Sequence, residues 1–147
     1  MERYQVSFEQ ECPTISYSFE VIKQEKSYAP SVLLVKFTGS YRDGSEGAPD
    51  AALMKGIMDT AIYLWEPETL LIDLSEFEYS WGDDIDNALD DPDKRIPYVI
   101  VIGVKCREAL SSLAYGVDTE RDIVDNDIYF DSQEKALEKL RSLIKKD

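Results

Sequence analysis

The residues best placed to do chemistry lie between Tyr79 and Asp93. Tyr79-Ser80-Trp81-Gly82 follows an apolar run, Thr69 to Leu74, and precedes the acidic stretch Asp83, Asp84, Asp86, Asp90, Asp91 and Asp93. Ser80 offers a hydroxyl that could accept a phosphoryl group from a partner kinase, or could cap the helix that follows. Trp81 beside Gly82 is either an exposed aromatic anchor for a partner or a plug over the sheet. The aspartates carry oxygen ligands of the kind Ca²⁺ and Mg²⁺ take, but they lack the EF-hand spacing and its turn glycine. A solvated acidic face, or a docking patch for a basic protein, explains them better than acid–base catalysis, which no motif supports. Neither a metal nor a cofactor is expected.

Other nucleophiles are few. The 147 residues contain no histidine, so Ser-His-Asp and Cys-His catalysis, histidine-ligated metals and imidazole switching are excluded within this chain. Cys106, between Lys105 and Arg107 at the expected start of a helix, has neighbours that lower a thiol's pKa, although a buried inert thiol is the simpler expectation. Cys12 and Cys106 form no C-x-x-C and no zinc spacing; two reduced thiols are expected. Gly39 to Gly47 contains glycines and serines but matches no phosphate-binding loop.

Thirty acidic against sixteen basic residues give a net charge of −14. That sign opposes nonspecific nucleic-acid binding and anionic membranes, and it suits solubility or a basic protein partner. The start, Met-Glu-Arg-Tyr-Gln, has no apolar signal-peptide core, and no apolar run is long enough to span a bilayer, so a cytoplasmic location is expected.

Elements to hold this loop can be read along the chain. Tyr4, Val6 and Phe8 alternate with polar residues, as do Ile15, Tyr17, Phe19 and Val21, and period two predicts strands with one face buried. Lys23 to Pro30 reads as a connector into Val32–Phe37, apolar on both faces and so interior. After the loop Gly39 to Pro49, the spacing of Leu53, Ile57 and Ala61, flanked by Met54, Met58, Ile62 and Trp65, predicts a helix from Asp50 that Glu66-Pro67 ends. Ile96 to Val104 reads as a buried strand, Arg107 to Tyr115 as a helix closed by Gly116, and Asp127 to Phe130 as a short strand. Asp131 and Glu134 have capping-box spacing for a last helix. Its buried face is Ala136, Leu137, Leu140, Leu143 and Ile144, with lysines gathered at its C-terminal end.

From Val32 the alternation of strand and helix predicts an α/β fold with several parallel strands. The earlier antiparallel strands make the sheet mixed. One domain spans 1–147, with 1–31 an added N-terminal β-hairpin region.

From about Val32 onward the chain resembles the STAS domain, the fold of anti-anti-sigma factors and of sulfate-transporter cytoplasmic tails. Leu71-Ile-Asp73-Leu-Ser75 matches the family's strand ending in an Asp-Leu-Ser-like turn. Tyr79-Ser80-Trp81-Gly82 stands one residue short of its Asp-Ser-Ser-Gly loop, and the strand Tyr98 to Val104 and Asp131 to Leu137 are similar to its tail. The resemblance implies a STAS-like topology and a non-enzymatic regulatory or protein-binding module. It would act through Tyr79, Ser80, Trp81, Gly82, Asp83, Asp84 and Asp86, with Ser80 in the place of a phosphorylated serine. Trp81 replaces the neighbouring serine and no aspartate precedes Ser80. A phosphate there would be repelled by Asp83, Asp84 and Asp86. Size and charge also fit a second class, an immunity-type inhibitor that captures a basic toxin or nuclease.

Overall fold

A computed structural model describes residues 1–24 and 27–144. Residues 25 and 26 of the connector, and the lysines at 145 and 146, lie outside the described residues. In chain order the elements are α1 (Phe8–Glu11), β1 (Ile15–Ile22), β2 (Val32–Ser40), α2 (Ala48–Trp65), β3 (Thr69–Leu74), β4 (Phe77–Glu78), α3 (Asp86–Leu89), β5 (Tyr98–Ile102), α4 (Val104–Tyr115), β6 (Tyr129–Phe130) and α5 (Gln133–Leu143). The fold is α/β. Its six-stranded mixed sheet runs β1-β2-β3-β5-β6, with β4 paired to the end of β2. β1 is antiparallel to β2; the β2–β3, β3–β5, β5–β6 and β2–β4 pairs are parallel.

The apolar strands β2, β3 and β5 occupy the middle because both their faces are covered. Leu33, Val35, Phe37, Leu70, Ile72, Leu74, Ile100 and Ile102 form one face, packed with Met54, Met58, Ala61 and Ile62 of α2, Leu89 of α3 and Leu110 of α4. Val32, Leu34, Leu71, Val99 and Val101 form the other, under Ala136 and Leu140 of α5.

Several expectations are corrected. Tyr4, Val6 and Phe8 are exposed and form no strand; Ser7 accepts a hydrogen bond from the Gln10 N–H and starts the one-turn α1 instead. The N-terminal region is therefore not a hairpin of its own, since β1 finds its partner in β2. β1 also buries less than its alternation suggests. Ile15 is buried and Phe19 half-buried, while Tyr17 and Val21 are exposed, because β1 is an edge strand lying beyond the reach of most of α2. α2 starts at Ala48, with Pro49 in its first turn, where a missing N–H costs nothing. Its buried stripe is Ala51, Met54, Met58, Ala61 and Ile62, and Leu53 and Ile57 flank it half-buried.

Val104 belongs to α4 and is exposed, so strand β5 stops at Ile102. The strand expected over Asp127 to Phe130 is only Tyr129–Phe130. Ser132, not Asp131, caps α5, accepting from the Lys135 N–H at 3.2 Å. Leu143 on that helix is exposed.

Between β3 and β4 the chain gains one residue on its neighbour. Lys36 pairs with Asp73, but Gly39 pairs with Phe77, three steps along β2 against four along β3–β4. This bulge inverts the alternation: Leu70, Ile72 and Leu74 face the main core before it, Phe77 and Tyr79 after it. It delivers the segment beyond β4 to the carboxyl edge of the sheet.

Candidate functional site

The loops following β2 and β4 meet where the parallel strands end, the usual position for a site in an α/β sheet. They are joined by rings lying on backbone. Tyr41 and Tyr79 are buried edge-to-face, with centroids 5.4 Å apart at 76°. The Tyr79 hydroxyl donates to the Gly82 carbonyl at 2.8 Å, and the Tyr41 amide donates to the Glu78 carbonyl at 2.8 Å. Burial pushes the Tyr79 phenol up to about 12, with Asp86 and Asp83 adding to it. Tyr41 is raised further by burial and then by Asp84, and its hydroxyl has no partner among the described residues.

Trp81 crosses from one loop to the other. Gly44 donates its N–H to the Trp81 carbonyl at 3.2 Å, and the indole lies against the Gly44 α-carbon. Gly44 has φ +61° and Gly82 φ +132°, conformations that L side chains rarely adopt. With its edge so seated, Trp81 is still 62% exposed. It is thus an exposed ring on a built support, which joins the two alternatives read from the sequence.

Ser80 is exposed and makes no side-chain hydrogen bond among the described residues. It caps nothing. The turn Asp83–Ile85 is a short 3₁₀ segment whose N-cap is Gly82, without a side-chain cap, and it runs into the one-turn α3. The helix expected behind the loop is accordingly two short turns. Ile85, Ala88 and Leu89 fasten them to the core.

Asp83 and Asp86 are exposed and Asp84 half-buried. The Asp86 carboxyl is raised by burial first, then by the charges of Asp90 and Asp83. Among the described residues no three carboxylate or thiol groups gather as a metal site would require. Asp93 stands apart, held by Arg95 at 2.8 Å, which lowers its carboxyl. The site presents one-sided negative charge, an exposed ring and an exposed hydroxyl.

Cys106 does not join it as a nucleophile. Its thiol is 1% exposed, lies 3.7 Å from the Leu74 carbonyl, and is pushed by burial up to about 11. Both cysteines are free and buried. Gly39 to Gly47 forms no cradle for phosphate; its 3₁₀ turn Gly44–Gly47 has acidic Glu46 in it and carries Trp81.

Three anchoring groups have roles that the sequence alone does not disclose. Asp50 is fully buried and accepts from the Arg42 backbone N–H at 2.9 Å, Nε at 3.1 Å and Nη2 at 2.8 Å. Arg42 Nη2 also donates to the Glu11 carbonyl at 2.6 Å, which binds α1 to the loop. Asp73, buried at the end of β3, accepts from the Ser75 N–H at 2.8 Å and starts the bulge. Arg107 grips Asp122 through Nε and Nη2. The only signals for these were the spacing of an arginine before a helix-start aspartate and an Asp-x-Ser turn.

An open cavity of about 500 Å³ lies between α4 and Val117–Asp122; of its two arginines, Arg107 is paired with Asp122 and Arg121 lies 4.0 Å over the Tyr115 ring. Among the described residues no helix is long and apolar enough to cross a membrane.

A comparison with protein-family models finds no match, and a comparison with curated protein sequences finds none either.

Proposed function

We propose that this chain is a non-enzymatic, STAS-like regulatory or protein-binding module of the cytoplasm that meets a basic protein surface through Tyr79 to Asp86. The observation that carries this reading is Trp81: an indole 62% exposed, fixed on Gly44 at the ends of the parallel strands, with Asp83, Asp84 and Asp86 directly behind it. An exposed, immobilised tryptophan loses little freedom on docking and gives a large contact, as interface hot spots do. The aspartates steer a cationic partner toward it. Alternating strands and helices around a mixed sheet, and the Asp73-Leu-Ser75 turn, support the STAS-like reading. Ser80, exposed on the same loop, is the proposed phosphoacceptor; a phosphate there would strengthen the attraction of a basic partner while being repelled by Asp83, Asp84 and Asp86.

The test begins with capture from native cell extract and ends with affinities measured on the purified partner. Trp81→Ala should weaken binding by about 2 kcal/mol or more. An unchanged affinity removes the loop from the interface.

The charge of −14 favours a second reading, an acidic inhibitor of a basic toxin or nuclease. Its mark would be a captured basic enzyme whose activity is blocked and whose association rate falls steeply with salt. A flat salt dependence would remove its motive.

A further inference from the structure

The sheet ends differently on its two sides. β6 is two residues long, whereas β1 runs from Ile15 to Ile22 without proline, lysine or bulge, and Glu20 is its one charge. Natural edge strands are normally blunted by such devices, and an unblunted edge is a template for another strand. Its backbone orientation follows from the ladder. Ser40 N–H donates to the Thr14 carbonyl, and the register pairs Ser16 with Thr38, Ser18 with Lys36 and Glu20 with Leu34. Even-numbered residues therefore exchange bonds with β2, and Ile15, Tyr17, Phe19 and Val21 turn their N–H and C=O groups outward. Of these, the Ile15 N–H donates to the Cys12 carbonyl at 3.5 Å, and among the described residues nothing pairs with the outward groups of Tyr17, Phe19 and Val21.

We infer that β1 is a self-association edge, pairing antiparallel with β1 of a second copy of this chain to make a continuous twelve-stranded sheet. The strand is complementary to itself. Outward-facing groups sit on odd-numbered residues only, so across a twofold axis hydrogen-bonded pairs must join odd to odd, and the non-hydrogen-bonded pairs between them join even to even. Tyr17, Phe19 and Val21, which share the core-side face with Phe37, Val35 and Leu33, then meet their own kind. Ser16, Ser18 and Glu20 meet on the opposite face. The core-side face already carries a row of rings, Tyr17 to Phe19 at 5.9 Å and Phe19 to Trp65 at 5.4 Å, which the pairing would extend with cross-strand aromatic contacts.

Charge selects the register. Centring the twofold on Ser18 sets Tyr17 opposite Phe19 and Ile15 opposite Val21, and it offsets the two Glu20 carboxylates by four residues, about 13 Å along the strands. Centring it on Phe19 halves that offset to about 7 Å, inside the screening length. The Ser18-centred register is the one proposed. A peptide of another protein could use the same edge, but it would lack this enforced match of faces.

Sedimentation of the full chain over a range of concentrations and salts tests the proposal. A monomer–dimer equilibrium is expected, and because two copies of charge −14 repel, added salt should strengthen it. That is the reverse of capture of a basic partner. Tyr17→Pro removes an outward N–H, and Val21→Lys puts a charge on an exposed face. Each should weaken dimerisation at least about tenfold with unchanged circular dichroism. Ser18→Cys should cross-link as a dimer under mild oxidation and Ser16→Cys should not, the native Cys12 and Cys106 being buried. Trp81→Ala should leave the dimer intact, so this proposal and the loop reading fail separately. A monomer under all conditions overturns it. So does a dimer that neither variant disturbs, or one in which Ser16→Cys links as readily as Ser18→Cys. Should Tyr17→Pro fail to fold, Val21→Lys and the cysteine pair decide.

Discussion

The indole of Trp81 rests on Gly44 so closely that a β-carbon on Gly44 would stand 2.6 Å from Cη2 of the ring. The two residues come from different loops, and each limits what the other can be. Gly44→Ala should cost about 1–2 kcal/mol from the left-handed backbone and should also lift the ring. In a Trp65→Phe background, a red-shifted Trp81 emission alongside a lowered melting temperature would report both effects. An unmoved spectrum would mean the ring is held by something other than Gly44.

Arg42 and Asp50 hold the first of those loops. Asp50 has no exposure, and all three hydrogen bonds it accepts among the described residues come from Arg42. Arg42→Ala should destabilise by about 3 kcal/mol, because it leaves a buried carboxylate without its partner. Arg42→Lys should restore only part of this, since an ammonium cannot match the fork. Denaturant unfolding of both variants measures the difference, and an Arg42→Ala loss below about 1 kcal/mol would place the pair with ordinary surface bridges.

Cys106 makes stability depend on alkaline pH. Its folded pKa, about 11, lies above the ordinary thiol value of 9.0, so the unfolded chain releases the proton first as pH rises. Stability should be unaffected by this group below about pH 8 and fall from about pH 9 to 11, by about 3 kcal/mol in all. Tyr79, raised to about 12 from 10.0, extends the loss higher. Urea unfolding at stepped pH checks the sign, and Cys106→Ala should flatten the lower part of the slope. A native thiol that reacts with an aromatic disulfide at pH 8 as fast as in denaturant would contradict the burial on which this rests.

Much of the architecture was legible because burial leaves a mark on composition. Val32–Phe37 and Thr69–Leu74 read as interior strands since both faces must be apolar there, and they are the middle of the sheet. The N-terminal alternation misled because Tyr4, Val6 and Phe8 have no sheet to join; period two expresses a pattern, and only a partner strand makes it a strand. The spacing of Asp131 to Glu134 predicts a cap at Asp131, but the next hydroxyl, Ser132, is the one that reaches the free N–H of Lys135. At the site, the exposed ring and its acidic neighbours could be read from Tyr79 to Asp86. Its support could not, because Gly44 lies in a different loop and Asp50 looks like any helix-start aspartate until its burial is known.

The extra residue between β3 and β4 makes chain length, rather than side-chain identity, the constraint at Ser75 and Glu76. Both are exposed, so replacing either should be nearly silent. Deleting Glu76 alone would remove the extra residue and flatten the bulge, yet Phe77 would then follow Leu74 by two positions, so Phe77 and Tyr79 would stay on the core side. Deleting Ser75 and Glu76 together should not be silent: Phe77 would follow Leu74 directly, Glu78 would be driven into the pocket of Phe77, and Tyr79 would swing out of contact with Tyr41. In this stretch the gene tolerates misspelling and the loss of one codon, but not of two.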